Sequence, residues 1–123
     1  MKILIAEDDA FMAAAIEQKL KSDGHQVILT RDGREALQLV EMQQPDLIIT
    51  DILMPFTSGL ELIGIIKSSF TKKIPIIVLS GMDQEATVLE AFALGADDFL
   101  TKPFNPVELS MRVKRLLIKS TKK

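Results

Sequence analysis

The sequence predicts an α/β fold, a doubly wound five-stranded parallel sheet with five helices, and three observations predict it. First, five short runs rich in Ile, Val and Leu recur along 123 residues: KILIA (2–6), QVILT (26–30), DLIIT (46–50), PIIVLS (75–80) and DFLT (98–101). Their apolar character is continuous rather than alternating, which marks strands covered on both faces. Second, the runs are separated by stretches of about 10 to 14 residues with helical period and capping residues. Strand and helix alternating in this way give a parallel sheet with right-handed crossovers. Third, the polar residues Glu7, Asp8, Asp51, Ser80 and Lys102 follow or close the apolar runs. In a parallel sheet they fall on one edge, the edge beyond the carboxyl ends of the strands where such folds bind ligands.

Each element has its own signal. The first strand ends before the acidic pair Glu7 and Asp8, and Asp9 supplies a cap for the first helix. After the second strand, Asp32 with Glu35 has the form of a capping box. The third strand closes on Asp51, a residue type that a buried strand otherwise avoids. Ser58 with Glu61 repeats the capping box, and Asn105, Pro106 and Glu108 open the last helix with a cap, a first-turn proline and an acid. In that helix Leu109, Val113, Leu116 and Leu117 form one apolar stripe, with Arg112, Lys114, Arg115 and Lys119 facing elsewhere. Gly24, Gly33, Gly81 and Gly95 are expected in the connections.

Composition bounds the classes of function. The length suits one domain over residues 1–123. A net charge of −2 gives no general attraction to nucleic acid or to an anionic membrane. The basic end KSTKK is expected to be a solvated, frayed terminus. Without cysteine there is no disulfide, thiolate nucleophile or zinc–thiolate site. The longest apolar runs, such as Ala10 to Ile16, have about seven residues, far short of the roughly 18 that span a bilayer. The apolar part of MKILIAEDD is too short for a signal peptide, so a cytoplasmic location is expected.

The strand-end residues carry the chemistry. Three carboxylates gathered from two strands repel one another unless a cation sits among them. A hard divalent ion such as Mg²⁺, with oxygen ligands and retained waters, meets that need. Lys102 adds a fixed positive charge and Ser80 a hydroxyl donor. Such a site suits a phosphoryl group held beside a carboxylate nucleophile, because phosphoryl transfer asks chiefly for positioning and charge neutralisation.

The whole chain resembles the response-regulator receiver domains of two-component signalling. The marks are the pair ED at 7 and 8, DILMPFTSG at 51–59 matching Asp-x-x-Met-Pro-x-x-x-Gly, Ser80 after PIIVL, and GADDFLTKPF at 95–104. The resemblance implies a flavodoxin-like sheet of strand order 2-1-3-4-5. It also implies a switch that takes a phosphoryl group from a phosphohistidine onto Asp51 with Mg²⁺ as cofactor, promoting its own phosphorylation and dephosphorylation. Metal ligands would be Asp8, Asp51, the backbone carbonyl of Leu53 and, through water, Glu7. Lys102 would pair with the phosphoryl oxygens across a cis Lys102–Pro103 peptide. Ser80 and Phe99 would form the switch pair, where the family more often has Thr and Tyr. Partners would be a sensor histidine kinase or histidine phosphotransfer protein and a downstream effector protein or domain, met through the fourth helix, fifth strand and fifth helix. No direct nucleic-acid or membrane contact by this domain is implied. On that face Asp97, Asp98, Glu108 and Arg112 match acid–base pairs that join dimers in relatives. Val88 and Leu89 stand where a base opposite Glu108 is expected, so the expectation is a monomer or a weak phosphorylation-dependent dimer.

Other readings fit less well. A haloacid-dehalogenase-type hydrolase wants a second Asp two residues after its nucleophile, and this chain has Leu53 there. A flavin or nucleotide binder wants a glycine-rich loop after the first strand, where AEDDAFM would repel phosphate. A receiver-like module that is never phosphorylated is harder to square with intact Asp8, Asp51 and Lys102. Met54 and Pro55 are read as turn and packing residues, His25 as a surface turn residue, and the internal methionines as core filler. Apolar Leu53 and Met82 are expected to flank the site and slow hydrolysis of an acyl phosphate.

Overall fold

The computed structural model describes residues 1–54, 58–69, 73–81 and 85–121. Five strands, β1 (Lys2–Ala6), β2 (Gln26–Thr30), β3 (Leu47–Asp51), β4 (Ile76–Ser80) and β5 (Asp98–Thr101), alternate with five helices. These are α1 (Ala10–Ser22), α2 (Gly33–Gln43), α3 (Gly59–Ser69), α4 (Glu85–Leu94) and α5 (Pro106–Thr121). All strand pairs are parallel, in the order β2-β1-β3-β4-β5, as expected.

The continuous apolar runs split residue by residue between two cores. Leu4, Ile48, Ile76 and Val78 pack with Ala36, Val40, Leu62, Ile63 and Ile66 on the side of α2, α3 and α4. Ile3, Ile5, Leu47, Ile49, Ile77 and Leu79 pack with Ile16, Leu20, Leu109 and Val113 on the side of α1 and α5. The period of two along each strand sends neighbours to opposite faces, and because helices cover both faces no polar alternation is needed. Every residue of β3 is buried, Asp51 included.

The caps form largely as read. The Asp9 carboxylate accepts from the backbone N–H of Phe11 (2.9 Å) and Met12 (3.1 Å). Asp32 accepts from Glu35 N–H at 2.8 Å, while the Glu35 side chain reaches back one residue further than a capping box requires, to Arg31 N–H. Ser58 Oγ accepts from Glu61 N–H, and Asn105 Oδ1 from Val107 N–H. β3 starts one residue late because Asp46 closes the strand's lower end: its carboxylate accepts Lys2 N–H at 2.8 Å and its own N–H donates to Lys2 O at 2.7 Å.

Several side readings are corrected. Gly33 lies in no connection but is the buried first residue of α2, directly after its Asp32 cap. Met42 and Met111 are exposed, on the outer faces of their helices, and are not core filler. His25 is half-buried: its backbone N–H donates to Leu20 O, its Nδ1 is buried without a partner among the described residues, and burial together with the amino terminus lowers its pKa. α5 runs on through Thr121, so the basic end is helical to that point.

Candidate functional site

At the carboxyl ends of β1 and β3, one carboxylate oxygen each of Glu7, Asp8 and Asp51 lie within 4.8 Å of one another. Strand order explains the meeting: β1 and β3 are hydrogen-bonded neighbours, with Ala6 opposite Thr50. Asp51 is only 7% exposed and Glu7 1%, whereas Asp8 faces solvent. Asp9 N–H donates to Glu7 Oε2 at 3.3 Å, so the residue that caps α1 also steadies Glu7.

Lys102 supplies the counter-charge. Its Nζ donates to Asp51 Oδ2 at 2.8 Å and stands 2.9 Å from Glu7 Oε1. Lys102 follows β5, and its backbone N–H donates to Ser80 O at 2.7 Å, which extends the β4–β5 pairing by one residue and aims the side chain across the strand ends. The Lys102–Pro103 peptide is cis. Burial opposes the charge on Lys102, but its contacts with Asp51 and Glu7 outweigh that and hold the ammonium above its ordinary value. Glu7 moves the other way: burial, reinforced by the charge of Asp51, raises it to about 7 against the pull of Lys102. The approach of Lys102 to Glu7 Oε1 lacks hydrogen-bond geometry, and among the described residues that buried oxygen has no hydrogen-bond donor. An all-oxygen donor set with one buried oxygen unpartnered fits a hard divalent cation.

Gly59 closes the floor beneath Asp51. It follows the turn after β3, its N–H donates to Ile52 O at 2.8 Å, and a Cβ built there would lie 2.2 Å from Asp51 O. Only glycine lets α3 start so close to the strand end. Thr50 Oγ1 also donates to Asp51 O, at 2.9 Å. Leu53 is 65% exposed beside the site and carries no group able to act as acid or base. Pro55 and Met82 lie outside the described residues.

Ser80 is buried at the end of β4 and borders a cavity of about 370 Å³ that is also lined by Val88, Leu89, Phe92, Phe99 and Thr101. Phe99, in β5, is 36% exposed and meets Phe92 of α4 edge-to-face, with ring centroids 5.7 Å apart. Several charged residues of the same face pair within the chain. Asp98 accepts from Arg112 (2.7 Å) and Arg115 (2.9 Å), Arg112 also reaches Glu108 (3.0 Å), and Asp97 pairs with Lys67 (3.0 Å).

One feature of the site escaped the sequence reading. Phe11 is 92% exposed and, with Met12, Ala15, Pro103 and Phe104, lines an apolar cavity of about 270 Å³ beside the acids. The signal was available: Phe11 lies in the first turn of α1, off the face that buries Ala13, Ile16 and Leu20.

A five-stranded sheet in this order, with an acidic trio and a lysine at its carboxyl edge, defines a receiver domain. The response regulator receiver domain family matches residues 3–114, and the chain belongs to that family. It is 37% identical over 121 residues to the alkaline phosphatase synthesis transcriptional regulatory protein PhoP of Bacillus subtilis, covering 97% of this chain and 49% of that protein. It is 40% identical over 116 residues to the regulatory protein VanR of Enterococcus faecium, covering 94% and 49%. The chain thus spans about half the length of the curated relatives it matches. Among solved structures, the Francisella response regulator 1452 receiver domain superposes with a TM-score of 0.90 at 35% identity, covering 98% of both chains. The receiver domain of a signal transduction histidine kinase from Syntrophus aciditrophicus gives 0.91 at 37% identity, covering 99% of this chain and 93% of that one. Residues 3–114 are accordingly a receiver domain of the kind that two-component response regulators use as a phosphorylation-controlled switch. Among the described residues, no helix is long and apolar enough to cross a membrane.

Proposed function

We propose that residues 1–123 act as one receiver domain in which Asp51 is the phosphoacceptor. The observation that carries this is the buried Asp51 carboxylate at the end of β3, beside Glu7 and Asp8 and 2.8 Å from Lys102 Nζ. An Asp51 oxygen attacks the phosphorus of a phosphohistidine, the P–N bond breaks, and its electron pair leaves with the imidazole, which takes a proton from solvent. Lys102 neutralises charge on the phosphoryl oxygens, and Ser80 offers a hydroxyl from the neighbouring strand end. Mg²⁺ would be held by Asp8, Asp51 and the Leu53 carbonyl, with Glu7 acting through water. When bound, it supplies the positive charge that the acids lack among themselves.

The same residues also promote loss of the phosphoryl group to water. Exposed Leu53 provides no group to orient that water, so the acyl phosphate is expected to decay slowly. The switch pair is Ser80 and Phe99: the hydroxyl moves toward the phosphoryl group and the ring turns into the cavity between them. Output then passes through α4, β5 and α5 to an effector protein or domain, a role that goes with a cytoplasmic setting.

A donor must bring its imidazole within bonding distance of Asp51, so its surface has to rest on the rim. The apolar cavity around Phe11 and Phe104 suits a histidine kinase or phosphotransfer protein that buries an apolar helix face there.

Incubation with acetyl phosphate, with and without Mg²⁺, followed by intact mass measurement tests the assignment. A metal-dependent phosphoryl adduct on the wild type that is missing from Asp51→Asn is the expected result. An adduct of equal yield on Asp51→Asn would overturn it.

A further inference from the structure

The opposite edge of the sheet carries a second concavity, of about 430 Å³, at the amino ends of β4 and β5. Four cations from three parts of the chain line it: Lys67 at the end of α3, Lys73 before β4, and Arg115 and Lys119 one turn apart on α5. Asp97 is the one acid in the lining, and Pro75 and Leu116 form an apolar floor. The charges are unevenly balanced. Lys67 is committed to Ile74 O (2.9 Å) and Asp97 (3.0 Å), and Arg115 to Asp98 (2.9 Å). The side chains of Lys73 and Lys119 are exposed and make no hydrogen bond or ion pair with any described residue.

Lysines near helix C-termini offset the helix dipole, which accounts for Lys67 and Lys119 taken singly. It does not account for Lys73, which belongs to no helix, nor for the convergence of all four on one hollow in a chain of net charge −2. The framework is also built to hold its shape. Asp97 accepts Ile76 N–H at 2.8 Å as well as Lys67, and Gly95, at φ +118°, leaves room for the Lys67 stem, which a Cβ there would meet at 2.9 Å.

We infer that this hollow binds a compact multivalent anion of the oligophosphate class, with Lys73 and Lys119 as its direct charge partners. A concavity with cations on three sides matches a short, highly charged group, whereas an extended polyanion needs a longer basic track. The site lies at the end of the sheet remote from Asp51, so it does not overlap the phosphotransfer site.

Isothermal titration of the full chain with tripolyphosphate and with adenosine diphosphate, in EDTA so that no metal recruits phosphate to the acidic site, tests this. Saturable binding is expected, weakened about tenfold or more by K73Q/K119Q, weakened by added salt, and unchanged by D51N. Both lysines are exposed, and equal melting temperatures for variant and wild type would show that the fold is intact. Absence of saturable binding below about 1 mM, or equal binding by K73Q/K119Q, would overturn the inference. Tighter binding of an oligoglutamate peptide than of tripolyphosphate would overturn it in favour of an acidic protein segment.

Discussion

Lys102 Nζ lies 2.8 Å from Asp51 Oδ2 and 2.9 Å from Glu7 Oε1, so one ammonium at the end of β5 holds acids that follow β1 and close β3. The protein's own cation thereby does part of what a divalent ion does for the same acids. Replacing Lys102 with Met is therefore expected to have two opposite effects. Phosphorylation by acetyl phosphate should slow by about 10²-fold, the scale of losing one group that stabilises developing charge. Mg²⁺ should bind more tightly, because the three acids lose their internal counter-charge. Calorimetry or NMR suits the second measurement, since the chain has no Trp or Tyr.

The Glu7 contribution to the stability of the metal-free protein should fall as pH rises, opposed in part by His25, whose pKa burial lowers. Glu7 keeps its proton to about pH 7 in the folded state, against 4.5 in the unfolded chain. Between those values the folded state binds more protons, so the unfolding free energy drops with increasing pH. The contribution is fully present below about 4.5 and gone above about 7, on the order of 3 kcal/mol. Urea titrations in EDTA at about pH 5 and about pH 8 read it, and Glu7→Gln should remove that part of the slope.

Two glycines in the same helix should respond with opposite signs. Gly59→Ala places a methyl group 2.2 Å from Asp51 O and should cost about 3 kcal/mol, with phosphorylation impaired because the acceptor backbone shifts. Gly64→Ala meets nothing within 4 Å and should gain about 0.5 to 1 kcal/mol through helix propensity. Thermal or urea denaturation of the two variants side by side decides this.

The ion pairs of the α4–β5–α5 face differ in worth. Asp98 is buried and takes two arginines as well as Phe99 N–H, so Asp98→Ala should cost about 1 to 2 kcal/mol. Glu108 pairs with Arg112 at the surface of one helix, and Glu108→Ala should cost about 0.5 kcal/mol or less. Arg112 is held above its ordinary pKa mainly by Asp98, so both effects should persist through neutral and mildly alkaline pH.

The same three residues bear on association. With Asp98 and Glu108 both paired to Arg112 inside one chain, the unphosphorylated protein should be monomeric by light scattering. A tight dimer without phosphorylation would contradict the reading of this face.

The sequence by itself determined the strands, the helices and the edge on which the chemistry sits. Continuous apolar runs specify doubly covered strands, and caps such as Asp9, Asp32 and Ser58 act within a few residues, so both are legible locally. Gly33 belongs to α2 rather than to a connection because the Asp32 cap starts the helix at once, a boundary that residue type leaves open, and Met42 is exposed because its apolar character does not say which helix face meets the sheet. Only the tertiary structure decided that Lys102 spans Glu7 and Asp51, that a methyl group at position 59 would collide with Asp51, and that Lys73 meets Arg115 and Lys119 across a hollow. Those relations join residues distant in sequence. Their distances follow from strand order, register and the packing of helices on the sheet, quantities fixed by the whole core rather than by any local run of residues.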